Sequence, residues 1–269
     1  MENVPTVGPP APRTLPRRPT GRLTSPAHAL AVGGTAAAAL TVLTIVALDA
    51  RLAIVSPGVL RHTISEYGLG PQRWLFAVAV LSLAFGSLAV VAALVSSRIT
   101  RWRSGAAMAT VLWSAGLTVV ALVPKEDRAL VEDTLGGEIH RVASLIAFVS
   151  LPIAARLLAR PWRRSATWGS YAGRIRRLGL LSALAFAPIL YAVGHMMLTG
   201  TPWWEILPLG IVERLLVGAE AVTVLAIGVW AVRASGSPTA RPVPATPVRI
   251  HPAAGDEKLT AEELLRERG

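Results

Sequence analysis

Six long apolar runs, at 27–50, 74–95, 104–123, 140–158, 178–197 and 211–232, decide most of what this chain can become. Each has the length, about 20 residues, that a helix needs to cross a hydrocarbon layer roughly 30 Å thick. None shows the one-sided period of a surface helix, so each is expected to meet lipid or another helix on every side. Inside lipid a segment must satisfy its own backbone N–H and C=O groups, which a helix does. The chain is therefore predicted to be an all-α, polytopic membrane protein. Its expected form is a six-transmembrane-helix bundle at 27–232 with a short interfacial helix.

A formal charge of +11 would suit nucleic acid if it sat on one compact face. Here the basic residues lie in the connections between runs, so no nucleic-acid partner is expected. Of the 27 Lys and Arg, 19 fall in the amino tail, the second and fourth connections and the carboxyl tail, against 5 in the first and third connections. Positive residues accumulate on the cytoplasmic side, which predicts both termini inside and a plasma-membrane location. The fourth connection, 160–177, mixes arginines with Trp162, Trp168 and Tyr171 as an anionic inner leaflet would favour. Trp74, Trp102, Trp203, Trp204 and Trp230 lie near run ends and read as interfacial anchors.

The tails, 1–26 and 233–269, are rich in Pro, Arg and small residues and read as disordered. A capping-box pair, Thr260 and Glu263, suggests one short helix at 260–268. The first run follows basic residues as a signal peptide does, but its length and lack of an A-x-A site mark it as a retained span. With no cysteine, disulfides and thiolate ligands are excluded.

The polar residues gather at the predicted outer end. After the first run, Ser56 suits an N-cap, Pro57 the first helical position and Gly68 a helix stop. A helix there would bring His62, Ser65 and Glu66 onto one face at i, i+3 and i+4. Asp49 ends the first run at the same level, and the acidic third connection supplies Lys125, Glu126 and Asp127. His140 and Arg141 open the fourth run, His195 ends the fifth, and Glu213 and Arg214 open the sixth.

Three readings of this end stand side by side. His62, His140 and His195 with Asp127 or Glu66 would make a zinc site whose bound water is activated for hydrolysis. A haem fits less well, because three histidines at one level offer no second axial site. A hydrogen-bonded network that caps helix ends needs no ligand at all. No H-E-x-x-H spacing and no nucleophile elbow around Ser65 is present. Glu220 stands apart, near the middle of the last run, where an ionised carboxylate costs at least a few kcal/mol. It is a candidate to carry a proton, to bind a cation, or to remain protonated on a serine such as Ser82, Ser87, Ser144 or Ser182. Gly86 and Gly218 suggest close helix packing, and Pro152 and Pro188 suggest kinks.

Four short segments carry a family resemblance: His62-Thr63-Ile64-Ser65-Glu66-Tyr67-Gly68, Pro124 with Asp127, Gly137-Glu138-Ile139-His140, and Gly210-Ile211-Val212-Glu213-Arg214. Together they resemble the domain of unknown function 998 family of six-span membrane proteins, over about residues 30 to 232. The resemblance implies no activity. It selects Ser65, Glu66, Asp127, His140, Glu213 and Arg214 from the larger polar set. A fainter similarity joins the chain to the alkaline ceramidase and progestin-receptor superfamily, whose seven spans and paired H-x-x-x-H are absent here.

The functional expectation is binding of a membrane lipid or small amphiphile at the outer end. Arg141 and Arg214 would hold an anionic head group, and Ser65, Glu66 and His140 would orient it. The alternatives are a zinc-dependent lipid hydrolase with Glu66 as base, and a proton-coupled transporter using Glu220.

Overall fold

The structure is a computed structural model that describes residues 25–55, 62–123, 125, 134–201 and 203–236. Residues 1–24 and 237–269 of the predicted tails, the Ser56–Pro57 cap, Asp127 and the 260–268 helix lie outside them, whereas Pro26 and 233–236, assigned to the tails, belong to the first and last spans. The described residues are helical with no strand, and six spans carry the predicted runs. They are α1 (Pro26–Val55), α2 (Arg73–Ser96), α3 (Gly105–Leu122), α4 (Leu135–Ala159), the pair α5 (Gly169–Ala185) and α6 (Ala187–Thr199), and α8 (Leu209–Gly236). The one-turn α7 (Trp203–Ile206) joins the last two spans.

Local chemistry explains the starts. Pro26 takes the first position of α1, and the Ser25 hydroxyl accepts the His28 N–H at 3.2 Å. Ser104 caps α3 through the Ala107 N–H, and Thr134 caps α4 through the Gly137 N–H. Thr134 moves the start of the fourth span five residues ahead of the predicted 140. The fifth span begins at Gly169 rather than 178, because Arg174, Arg176 and Arg177 continue the helix instead of ending it. Long cationic side chains can follow a helix out of lipid and keep their charge in water.

The fifth span is broken at Phe186. Pro188 has no N–H to give to the preceding turn, and the Ile189 and Leu190 N–H groups both turn to the Phe186 carbonyl, at 3.1 and 3.3 Å. Pro152, by contrast, lies inside an unbroken α4. At the far end of α6, Gly200 adopts φ +73° and its N–H closes on the Met196 carbonyl at 2.8 Å, a left-handed C-cap.

α8 is the central helix and packs against α1, α2, α4 and α5. Small residues let the backbones approach. Gly34 faces Gly86 where α1 crosses α2, and Gly116 faces Ala143 and Ala147 where α3 crosses α4. Gly218 corrects the packing expectation, since nothing lies within 4 Å of where its Cβ would be.

Trp230 is a second correction. It is fully buried, with ring centroids 6.4 Å from those of Trp162, Trp168 and Tyr171. Trp162 also donates from Nε1 to the Ile99 carbonyl at 2.9 Å. These rings lock the connection between α4 and α5 onto α8, whereas Trp74 and Trp102 are exposed as anchors should be. His28 Nδ1 and Ser235 Oγ stand 3.2 Å apart, so the start of α1 and the end of α8 share the arginine-rich end of the bundle.

Candidate functional site

At the opposite end, five consecutive residues, Ile64–Gly68, form a 3-10 helix. Thr63 precedes it in extended conformation and provides no side-chain cap. The missing cap comes from α8. Glu213 Oε1 accepts the Ser65 N–H at 3.2 Å, while the Ser65 hydroxyl and the Ile64 backbone also face that carboxylate. A carboxylate satisfying amides at a helix start is sound electrostatics, here delivered from 148 residues away.

Arg214, the next residue, works as a clamp. Its Nε and Nη2 donate to Asp49 Oδ2 and Oδ1 at 2.9 and 2.7 Å, a fork-to-fork pair joining α8 to the end of α1. Its Nη1 donates to the carbonyls of His62 (2.5 Å) and Gly210 (2.9 Å). Tyr67 adds a third bond to Asp49, hydroxyl to Oδ1 at 2.7 Å. Burial first, and the Asp49 hydrogen bond second, push the Tyr67 phenol above its ordinary value, so it stays a donor at any working pH. Arg214, expected to hold an anionic head group, thus directs its guanidinium to Asp49 and two carbonyls. Arg141 is exposed on the side of α4 and pairs with Glu138 at 3.2 Å.

A second group surrounds Glu66. Its Oε2 accepts from His62 Nδ1 at 2.9 Å, and its Oε1 accepts from the Thr63 hydroxyl at 3.0 Å and from Lys125 Nζ at 3.3 Å. Lys125 also donates to Thr63 Oγ1 at 2.6 Å, and the Ser65 hydroxyl lies 3.2 Å from the same oxygen. The predicted face of His62, Ser65 and Glu66 is therefore split. His62 meets Glu66, while Ser65 turns toward Thr63 and Glu213.

Burial raises the Glu66 pKa, but His62, Lys125 and Thr63 together outweigh it and hold the carboxyl below its ordinary value. A depressed carboxylate pKa stabilises the fold above the ordinary value of 4.5 and loses that contribution as pH falls through the lower folded value. We expect the melting temperature to drop on acidification below about pH 4.5, and Glu66→Gln to flatten that part of the curve. An equally steep fall in the variant would show that another group carries it.

The histidines do not converge. His140 is buried and its Nδ1 donates to the Val123 carbonyl at 2.7 Å, tying the end of α3 to α4. His195 is half-buried and lies against Thr199 on its own helix, Nδ1 to Oγ1 3.1 Å. His62 is engaged by Glu66. Among the described residues no three His, Asp or Glu side chains are grouped to hold a metal. Glu220 is 1% exposed in the interior of α8, and neither carboxyl oxygen has a hydrogen-bond partner among the described residues. Ser182, one of its suggested partners, instead pairs with Thr223 at 3.2 Å, and Ser87 accepts from Trp113 Nε1 at 3.1 Å.

The six spans, the terminal tether from α8 and the interfacial turn define an integral membrane protein whose conspicuous polar chemistry lies at one end. Residues 35–230 match the family described as "Protein of unknown function (DUF998)", and the chain belongs to it. No curated protein and no solved structure matches the chain.

Proposed function

We propose that this membrane protein binds the head group of an amphiphile that presents N–H or O–H donors, at the Ser65–Glu66–Glu213 end of the bundle. One observation carries the reading. Glu213 Oε2 is shielded from solvent and has no hydrogen-bond partner among the described residues, although Oε1 of the same carboxylate is held by the Ser65 N–H. A buried acceptor without a donor costs about 1–3 kcal/mol. An ammonium or hydroxyl head group supplies that donor.

The charge balance favours the same class. Arg214 is committed to Asp49, and Glu66 to His62, Thr63 and Lys125, which leaves Glu213 as the carboxylate with an open acceptor for a guest. Span ends are where an amphiphile in the bilayer carries its polar part. With the arginine-rich end in the cytoplasm, the site opens to the outer leaflet.

Lipid retention read by native mass spectrometry tests this. Phosphatidylethanolamine and phosphatidylcholine share a phosphate and chains, but only the first has N–H donors. We expect ethanolamine lipid to be retained over choline lipid by about tenfold, the worth of one hydrogen bond to a charged group. Glu213→Gln should erase that ratio. Because the ratio is taken within one variant, a loss of overall stability cancels. Equal retention of the two lipids by the wild-type protein, or an unchanged ratio in Glu213→Gln, would overturn the reading.

A further inference from the structure

Glu220 is used by none of this, and its surroundings single it out. Among the described residues it is the one acidic side chain near the middle of a span. The charged and titratable groups on the elements packed against α8 are His28, Asp49 and Arg51 on α1, Glu66 and Tyr67 on the 3-10 turn, Arg73 on α2, Glu138, His140, Arg141 and Arg156 on α4, and Tyr171, Arg174, Arg176 and Arg177 on α5, where Arg177 lies five residues from Ser182 on the side away from Phe186. On α8 itself, Glu213 and Arg214 lie toward one end and Arg233 toward the other. No cation is therefore placed to neutralise Glu220, and no donor among the described residues reaches either oxygen. An ionised carboxylate in that setting is strongly disfavoured, so the group is a neutral acid in the state described.

A second and independent feature lies at the same depth. α5 and α8 run antiparallel, with Tyr171 stacked on Trp230 near one end and Ser182 against Thr223 farther along. Counting onward from the second contact, four residues of α5 lead to the break at Phe186, and three residues of α8 lead back to Glu220. At 1.5 Å per residue the two lie within about one helical turn of each other in depth. Phe186 also lies near the middle of its 31-residue span and Glu220 near the middle of its 28-residue span. Interrupted helices at mid-membrane are where backbone groups freed from the helical ladder meet an ion path. The Thr223 hydroxyl donates to the Ala219 carbonyl, which leaves Ser182 as donor in their pair and sets two hydroxyls within one helical turn of the acid along α8.

We infer that Glu220, the Ser182–Thr223 hydroxyl pair and the break between α5 and α6 form a mid-membrane proton-binding site. The acid holds its proton while the break is closed. Movement about Phe186 admits water, the carboxyl O–H bond breaks, the proton passes to that water, and the hydrated carboxylate remains. Rebinding reverses each step, with no change of oxidation state. A sodium ion fits less well, since it requires five or six oxygens and the acid here has no polar contact even with its hydroxyl neighbours. The site stands apart from the head-group reading, because Glu220 lies seven residues, about 10 Å, along α8 from Glu213.

The full chain in liposomes, treated with dicyclohexylcarbodiimide and mapped by peptide mass spectrometry, tests the inference. That reagent is apolar and reacts with protonated carboxyls in membranes. We expect one adduct, on Glu220, with labelling that falls about tenfold as the medium is made alkaline and the site releases its proton. Glu220→Gln should lose the adduct and keep the wild-type melting temperature, and mapping the wild-type adduct alone gives the answer if that variant does not fold. Absent or pH-independent labelling of Glu220 overturns the proposal. Protection by sodium chloride but not choline chloride at constant pH also overturns it, in favour of a sodium site.

Discussion

Arg214→Ala lowers the melting temperature of the purified protein by roughly 5–10 °C, the equivalent of about 2–4 kcal/mol for a chain of this size. The reason is the number of groups left behind. Asp49, whose side chain is 27% exposed, keeps a charge whose bidentate partner is gone, and the carbonyls of His62 and Gly210 each lose a charged donor. Arg214 is only 15% exposed, so solvent screens the pair far less than it would a surface ion pair. Asp49→Ala removes the same pair from the other side and additionally strips the Tyr67 hydroxyl of its acceptor. It should cost about as much.

The pair is separated from a sum of unrelated losses by the double variant. If the two side chains act as one clamp, Asp49→Ala with Arg214→Ala costs less than the two single changes added together, by about 1–3 kcal/mol of coupling. Strict additivity would mean that the clamp does not hold the end of α1 to α8. Scanning calorimetry or a thermal dye assay in one detergent, with all four proteins at equal concentration, reads the cycle.

The six spans were legible because length and hydropathy alone force them, and the paired termini because six is even. The clamp was not. Asp49 and Arg214 are 165 residues apart, and nothing in the chain says which acid an arginine at a span end will meet. The arginine therefore looked available for an anionic guest. Glu213 posed the same difficulty. Its role as cap became visible only because Thr63 gives no side-chain cap, a geometric fact with no sequence signature.

Thr63 and Tyr67 hold positions in the site that the sequence does not assign to them, although both sit inside the most recognisable segment of the family resemblance. Their signal was proximity to Ser65 and Glu66, which helical spacing alone does not rank. Glu220 was the reverse case. A charge in the interior of an apolar run is conspicuous in one dimension, while the break in the fifth span, signalled by Pro188, needed the fold to be placed beside it. Trp230 shows why position along a span is a poor guide to environment. A tryptophan near a helix end serves the interface only if no neighbouring aromatic rings cover it.

Glycine raised the same ambiguity, and it leads to the second large effect. Gly33 and Gly34 are adjacent in sequence and chemically identical, yet a Cβ on Gly33 would meet nothing within 4 Å. One on Gly34 would strike the Gly86 carbonyl oxygen and approach the Val90 N at 3.1 Å. The struck atoms are backbone, so no rotamer change relieves the contact and α1 must move off α2. Gly34→Leu should therefore cost more than the 1–3 kcal/mol typical of overpacking, collapsing the yield of monodisperse protein, whereas Gly33→Leu adds apolar surface toward lipid and is tolerated. Gly116 and Gly218 form a matching pair on other helices. The first would press a Cβ to 2.7 Å from the Ala143 carbonyl oxygen and the second meets open space. Gly116→Leu is expected to fail with Gly34→Leu, and Gly218→Leu to survive with Gly33→Leu. Because all four substitutions carry the same loss of backbone entropy and the same gain in hydrophobicity, only helix contact distinguishes them. Size-exclusion profiles and melting temperatures that ranked them in any other order would contradict the packing of α1 on α2 and of α3 on α4.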